Sequence, residues 1–172
     1  ELLSEILRDE GYDILLAESA SSWEISPDGG RAVFLKSRMD KEKNGRIANL
    51  FLIDLGTKKE VQLTRGTDGA SRPRWSPDGA FISFLSSRPL PKPKAEQSGA
   101  QIWLINMSGG EPYPLTELVR GAQDYYWIDA DTIYFSAQED PTLYDQELKR
   151  KKDDAIVVDD VRHEPPVRIF KL

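Results

Sequence analysis

The stretch Ser26-Pro27-Asp28-Gly29 returns 50 residues later as Ser76-Pro77-Asp78-Gly79. Each copy follows an apolar residue and precedes a run of alternating polar and apolar residues that ends in Ser-Arg. Proline presets φ, glycine accepts a positive φ, and aspartate can accept a hydrogen bond from the backbone two residues on. The motif therefore predicts a tight turn between the first two strands of a repeated unit.

The repeat continues beyond the turn. The segment Asn49–Asp54 matches Gln101–Asn106, and the pair Leu63-Thr64 matches Leu115-Thr116, both at an offset of 52 residues. In the second unit the pattern predicts strands over about 71–76, 80–87, 100–106 and 112–116, with a glycine hairpin before the last strand.

A third, degraded copy begins at Tyr125, places Ile133–Ser136 at the second strand and ends on Val167–Leu172 as the third strand. Four-stranded units that repeat every 40–50 residues are typical of propeller blades. The sequence therefore predicts an all-β fold, a partial β-propeller of about three four-stranded antiparallel blades.

The repeat also sets the expected boundaries. Residues 1–19 form a lead-in, with a short amphipathic helix over 1–10. The three blades cover about 20–66, 67–119 and 120–172. A charged insertion over 138–164 interrupts the third blade, with a predicted helix at Pro141–Lys152 and a predicted strand at Ala155–Val158.

Composition excludes several classes of function. The net charge of −6 argues against nucleic-acid binding, and the lack of a long apolar run argues against a membrane span. The chain has no cysteine and one histidine, so we predict no metal site and no cofactor. It shows no signal peptide and no initiator methionine, which predicts a fragment or a processed form. Localisation stays open, with the cytoplasm slightly favoured over the periplasm.

The segment Pro73–Gly79 followed by Ile82-Ser83-Phe84 resembles the propeller repeat, itself WD40-like, of TolB-type proteins and of prolyl-oligopeptidase-family serine peptidases. The third unit separates the two families. Its run Lys149–Asp154, then Ile156–Val158 and Arg168–Leu172, resembles the insertion in acylaminoacyl-peptidase-like members of the peptidase family.

That resemblance implies a two-domain hydrolase in which a seven- or eight-bladed propeller caps an α/β-hydrolase domain. The family's catalytic residues lie in the hydrolase domain, and this chain has no Gly-x-Ser-x-Gly elbow, so we assign it no catalytic residue. The substrate-binding residues stay unknown. The implied role is to restrict the access of short or N-acylated peptides to the hydrolase domain. The alternative is a TolB-like propeller that acts as a protein–protein interaction module, and a third possibility is an isolated or engineered fragment.

The implied partners are the remainder of the propeller and the hydrolase domain, in the same protein or on a complementary chain, together with a peptide substrate. Three blades cannot close a ring, so strand edges and apolar blade faces stay exposed and favour association. We therefore expect the chain by itself to form oligomers.

The remaining candidates favour structural roles. The lone His163 lacks a nucleophile elbow and is expected in a surface loop. The acidic pairs could hold a hard cation but lack calcium-loop spacing, so turn capping is the better interpretation; they are Asp129/Asp131, Asp153-Asp154 and Asp159-Asp160. The basic run Lys149–Lys152 is flanked by acidic residues, which favours a solvated helix face.

The four tryptophans divide into two pairs. Trp75 and Trp103 fall on repeat positions inside strands, which predicts core packing. Trp23 and Trp127 lie nearer the innermost strands, from which a side chain could reach a central channel.

Overall fold

A computed structural model of the chain describes residues 19–40, 45–91, 98–139, 147 and 166–172. These residues form eleven strands in three antiparallel sheets, which confirms the all-β prediction. The strands are β1 (Ser19–Ile25), β2 (Arg31–Asp40), β3 (Gly45–Asp54), β4 (Glu60–Gln62), β5 (Ser71–Trp75), β6 (Phe81–Ser86), β7 (Gln101–Asn106), β8 (Tyr113–Pro114), β9 (Ala122–Trp127), β10 (Ile133–Gln138) and β11 (Val167–Lys171).

Each sheet is a meander of consecutive strands. Sheet I has the order β1-β2-β3-β4, sheet II β5-β6-β7-β8, and sheet III β9-β10-β11. The four strands expected in the second unit are all present, within two residues at each end. The predicted helix over 1–10 and the predicted strand at Ala155–Val158 lie outside the described residues, as does the helix at Pro141–Lys152 apart from Glu147.

The repeated Ser-Pro-Asp-Gly turns close as the sequence predicts. The Ser76 hydroxyl donates to Asp78 Oδ1 at 2.5 Å, and the Ala80 N–H donates to the same oxygen at 3.1 Å. Gly79 has φ +71°, a value that a residue with a Cβ adopts only with strain. Because the first copy repeats the bonds to Asp28, both turns fix the register of the strands they connect.

The repeated Leu-Thr pair ends each four-stranded sheet with a buried side-chain bond. The Ile102 N–H donates to Thr116 Oγ1 at 2.9 Å, and the Thr116 hydroxyl donates to Gln101 Oε1 at 2.9 Å. In sheet I, Thr64 accepts from the Leu50 N–H at 2.9 Å in the same way. The threonine therefore satisfies a backbone donor that the short last strand leaves unpaired.

Replacing Thr116 with valine is expected to lower the free energy of unfolding by about 1–3 kcal/mol, because the buried Ile102 N–H loses its acceptor. Urea denaturation followed by tryptophan fluorescence measures the change. Thr116→Ser keeps the hydroxyl and serves as the matched control. An equal loss in the two variants would show that the methyl group, rather than the hydrogen bond, carries the effect.

Sheet II lies between the other two sheets and buries both of its faces. One core cluster joins it to sheet I and includes Val33, Leu50, Phe84 and Trp103. A second cluster joins it to sheet III and includes Leu85, Ile102, Tyr125 and Phe135. Trp75 and Trp103 are both buried in the first cluster, which confirms the predicted core packing.

The first strand of sheets I and II carries a register shift. In β1, Ser22 and Trp23 stand opposite the single residue Phe34, and in β5, Arg72 and Pro73 stand opposite Phe84. Ser22 and Arg72 have φ +54° and +50°, a region that non-glycine residues rarely adopt. A bulge re-aims the side chains around it. The side chains around the bulges of β1 and β5 therefore point in directions that a regular strand would not give them.

Candidate functional site

The candidate site is the row of side chains that the three first strands bring together. By strand register, Glu24 of β1, Arg74 of β5 and Tyr126 of β9 occupy equivalent positions, since they pair with Val33, Ser83 and Tyr134. We call Glu24, Arg72, Arg74, Asp124 and Tyr126 the first-strand cluster. It contains two arginines and an exposed aromatic ring, and arginine and aromatic residues are enriched at protein interfaces.

Arg72 and Asp124 form an ion pair between sheets II and III. The Arg72 Nη1 lies 2.5 Å from Asp124 Oδ2, and both side chains are partly exposed. Partial burial acts to raise the pKa of the Asp124 carboxyl, but the hydrogen bonds from Arg72 and the Tyr125 N–H outweigh it and hold the pKa below its usual range. The Asp124 carboxylate is therefore already paired with Arg72.

Arg74 differs from Arg72, because its guanidinium stacks on aromatic rings. Its Cζ lies 4.0 Å from the centre of the Tyr126 ring and 5.9 Å from that of Tyr125. Its Nε is buried and has no hydrogen-bond partner within the described part of the chain. The arginine is held in place by stacking, and its charge is not neutralised by an ion pair among the described residues.

Glu24 lies on the other side of Arg74. Burial raises the pKa of its carboxyl, and the Trp75 hydrogen bond and the charge of Arg74 only partly oppose this. A carboxyl in such a setting gains a proton more readily than an exposed glutamate does.

Side-chain hydrogen bonds join the sheets beside the cluster. The Trp75 Nε1–H donates to the Glu24 carbonyl at 3.2 Å, and the Tyr125 hydroxyl donates to the Arg72 carbonyl at 2.7 Å. The Trp127 Nε1–H donates to Ser83 Oγ at 2.8 Å. The first strands are thus positioned by partly buried polar bonds, so the cluster has a defined geometry.

The outer faces of sheets I and III are apolar and exposed. On sheet I, Trp23 stacks on Phe34 with ring centres 4.1 Å apart and is 56% exposed, and Ile25 is also exposed. On sheet III, Tyr134 is exposed and Ile169 is 78% exposed. Alternation along the strands produces these faces, because successive side chains point to opposite sides of a sheet.

The described ranges contain several of the candidate residues from the sequence. Trp23 lies against the outer face of sheet I, and Trp127 packs between sheets II and III, so both contribute to packing. Asp129 accepts a hydrogen bond from the Asp131 N–H at 2.9 Å, as expected for turn capping.

His163, Asp153-Asp154, Asp159-Asp160 and Lys149–Lys152 lie outside the described residues. The described part of the chain has no histidine and no group of metal-ligating side chains. Over the same ranges, no helix has the length and apolarity needed to cross a bilayer. What the cluster can do is bind and orient a ligand through charge and stacking.

The sequence by itself does not predict the first-strand cluster. Arg74 lies inside the segment Pro73–Gly79, but this segment by itself predicts only a turn. One signal for the cluster is the offset of 50 residues between Glu24 and Arg74, which places opposite charges at one repeat position.

No protein-family model matches the chain. A curated relative, the uncharacterized peptidase YuxL of Bacillus subtilis, is 32% identical over 122 residues, covering 70% of this chain and 18% of the relative. The chain thus spans about a fifth of that relative's length.

Solved structures with this fold include an isopeptidase, an acylaminoacyl peptidase and a TolB protein. The AtxE2 isopeptidase of Asticcacaulis excentricus superposes with a TM-score of 0.61 at 18% identity, covering 91% of this chain and 28% of that protein. The acylaminoacyl peptidase of Pyrococcus horikoshii gives 0.57 at 19% identity, over 84% and 20%. A putative TolB of Agrobacterium tumefaciens gives 0.51 at 23% identity, over 76% and 42%.

Proposed function

Since the chain belongs to the prolyl-oligopeptidase family of peptidases, we propose that its three sheets are consecutive blades of the β-propeller of such an enzyme. The blades cover about 20–66, 67–119 and 120–172, with a helical lead-in over 1–19 and a charged insertion over 138–164. The repeat offsets and the matching turns in sheets I and II support these boundaries.

One observation carries the propeller proposal. Sheet II is covered on both faces by its neighbours, whereas sheets I and III each end the stack with an apolar, exposed face. A stack of this kind is complete only when a further sheet covers each end. The remaining blades of the same propeller are the partner that fits, because they would present the same kind of face.

The propeller restricts the access of peptides to a serine hydrolase domain carried by the rest of the protein or by a complementary chain. The physical reason is steric, since a ring of blades leaves a narrow channel or side opening that short or N-acylated peptides can pass. The chemistry, acyl transfer through an activated serine, belongs to residues outside this chain.

The test is covalent labelling of the full-length protein with a fluorophosphonate probe. We expect one serine outside residues 1–172 to be labelled in the native protein and not after heat denaturation. Before labelling, the protein should hydrolyse short acetylated peptides but not a folded protein, and labelling should abolish this hydrolysis. Native, folded protein that takes up no probe would refute the peptidase role.

The second candidate is a TolB-like propeller that binds a protein partner, and the likeness to the TolB structure fits it at the level of the fold. The fluorophosphonate labelling distinguishes this function from the peptidase role. A full-length protein without a reactive serine that forms a stable complex with one protein would support the interaction module.

The isolated chain is expected to associate, because the faces that contain Trp23 and Ile169 have no covering sheet among the described residues. Mass photometry at increasing concentration measures the association. Replacing Ile169 with lysine places a charge on the exposed face of sheet III and should shift the population toward smaller species. A concentration-independent, folded monomer would contradict the prediction.

A further inference from the structure

We propose that Arg74, held on the ring of Tyr126, is a binding subsite for a carboxylate of the peptide that passes the first strands. The inference rests on the proposed peptidase function for the identity of the ligand. The subsite itself rests on the contacts of Arg74.

Arg74 lacks an anionic partner among the described residues, whereas Arg72 has one. Arg72, two residues earlier, donates to Asp124 at 2.5 Å. Arg74 has no acceptor for its buried Nε and no ion pair among the described residues. Buried donors without partners are rare in folded proteins, because leaving one unsatisfied costs stability. The guanidinium of Arg74 is thus left without an anion among the described residues, and a ligand carboxylate would supply one.

The ring of Tyr126 lies against the guanidinium of Arg74. The Arg74 Cζ lies 4.0 Å from the centre of the Tyr126 ring, so the guanidinium charge lies over the ring. Two parallel N–H donors match the two oxygens of a carboxylate. Tyr126 is 53% exposed, so a ligand can contact the ring beside the guanidinium.

Two acidic side chains of the cluster, Asp124 and Glu24, lie near Arg74. Asp124 is committed to Arg72, and Glu24 sits in a half-buried position where burial raises the pKa of its carboxyl. Neither carboxyl forms an ion pair with Arg74, so each competes only at longer range. A ligand carboxylate in direct contact with the guanidinium gains the stronger interaction.

The test uses the full-length protein with its reactive serine blocked by a fluorophosphonate, and isothermal titration with three acetylated peptides. The first is acetyl-Gly-Ala-Phe with a free terminal carboxylate, and the second is the same peptide as its amide. The third, acetyl-Gly-Asp-Phe-amide, carries only a side-chain carboxylate. Comparing the first and third identifies which carboxylate the subsite takes.

We expect Arg74→Gln to weaken binding of the carboxylate peptide by about tenfold or more and to leave binding of the amide unchanged. Arg74→Lys, which keeps the charge but not the planar fork, should lie between the two. Arg31→Gln is the matched control, because Arg31 also stacks on an aromatic ring, at 5.1 Å from the centre of Trp75. If Arg74→Gln does not fold, Arg74→Lys is compared with the unaltered protein instead. A smaller preference for the carboxylate peptide over the amide supports the subsite, and an equal preference overturns it.

Equal binding of all three peptides to the unaltered protein, or an equal loss in Arg74→Gln and Arg31→Gln, would overturn the subsite. Fluorophosphonate labelling reports the peptidase proposal separately. Labelling without a carboxylate preference refutes the subsite alone. A carboxylate preference without labelling, measured on the unblocked protein, refutes the peptidase role alone.

Discussion

Replacing Gly121 with alanine is expected to lower the free energy of unfolding by at least about 3 kcal/mol. Gly121 has φ +73°, and a Cβ built there would lie 2.6 Å from the Ala100 carbonyl oxygen and 2.7 Å from the Ala100 nitrogen. These are backbone atoms that cannot rotate away, and the neighbouring Ala122 N–H donates to the same carbonyl at 2.7 Å. The substitution therefore forces apart the segments that lead into β7 and β9.

Gly29→Ala is the control that separates the steric clash of the added Cβ from the cost of a positive φ. Gly29 has nearly the same φ, +71°, but a Cβ added to it would meet no heavy atom within 4 Å beyond its own chain neighbours. Its cost should be about 1–2 kcal/mol, from the left-handed conformation alone. Urea denaturation of both variants gives the comparison. A loss in Gly121→Ala no greater than that in Gly29→Ala would show that the close approach of the two segments is relaxed at no cost.

The turns and the strands of the second unit can be predicted because their causes are local. In Ser76-Pro77-Asp78-Gly79 every residue acts on the backbone within a few positions of itself, so the motif alone determines the turn. The match between Leu63-Thr64 and Leu115-Thr116 is also visible in the sequence. The role of the threonine is not, because its backbone donor lies 14 residues away, on the preceding strand.

The first-strand cluster cannot be predicted, for a different reason. The Tyr125 hydroxyl and the Arg72 carbonyl are 53 residues apart in sequence, and their meeting depends on how two sheets stack. The positive φ of Ser22 and Arg72 is equally hidden, since neither residue type favours it. The charged insertion over 138–164, on which the peptidase resemblance depends, falls almost wholly outside the described residues, so its helix and strand stay predictions.

The second large effect on the free energy of unfolding is expected in the core between sheets I and II. Replacing Phe84 with alanine is expected to cost about 3–5 kcal/mol, because the ring is fully buried and its removal leaves a cavity that the two sheets cannot easily close. Arg88, with its Cζ 5.4 Å from the ring centre, loses part of its stacking as well. The unfolding free energy from urea denaturation measures the loss.

Phe51→Ala is the matched control, since Phe51 lies half-buried on the outer face of sheet I, 5.9 Å from Phe34 between ring centres. Its loss should be less than half as large, because the same ring is removed from a face that no described sheet covers. Once the remaining blades are present, a further sheet would cover that face, and the cost of Phe51→Ala should rise toward that of Phe84→Ala. An equal Phe51→Ala cost in the isolated chain and the full-length protein would contradict the proposal that this face is an interface between blades.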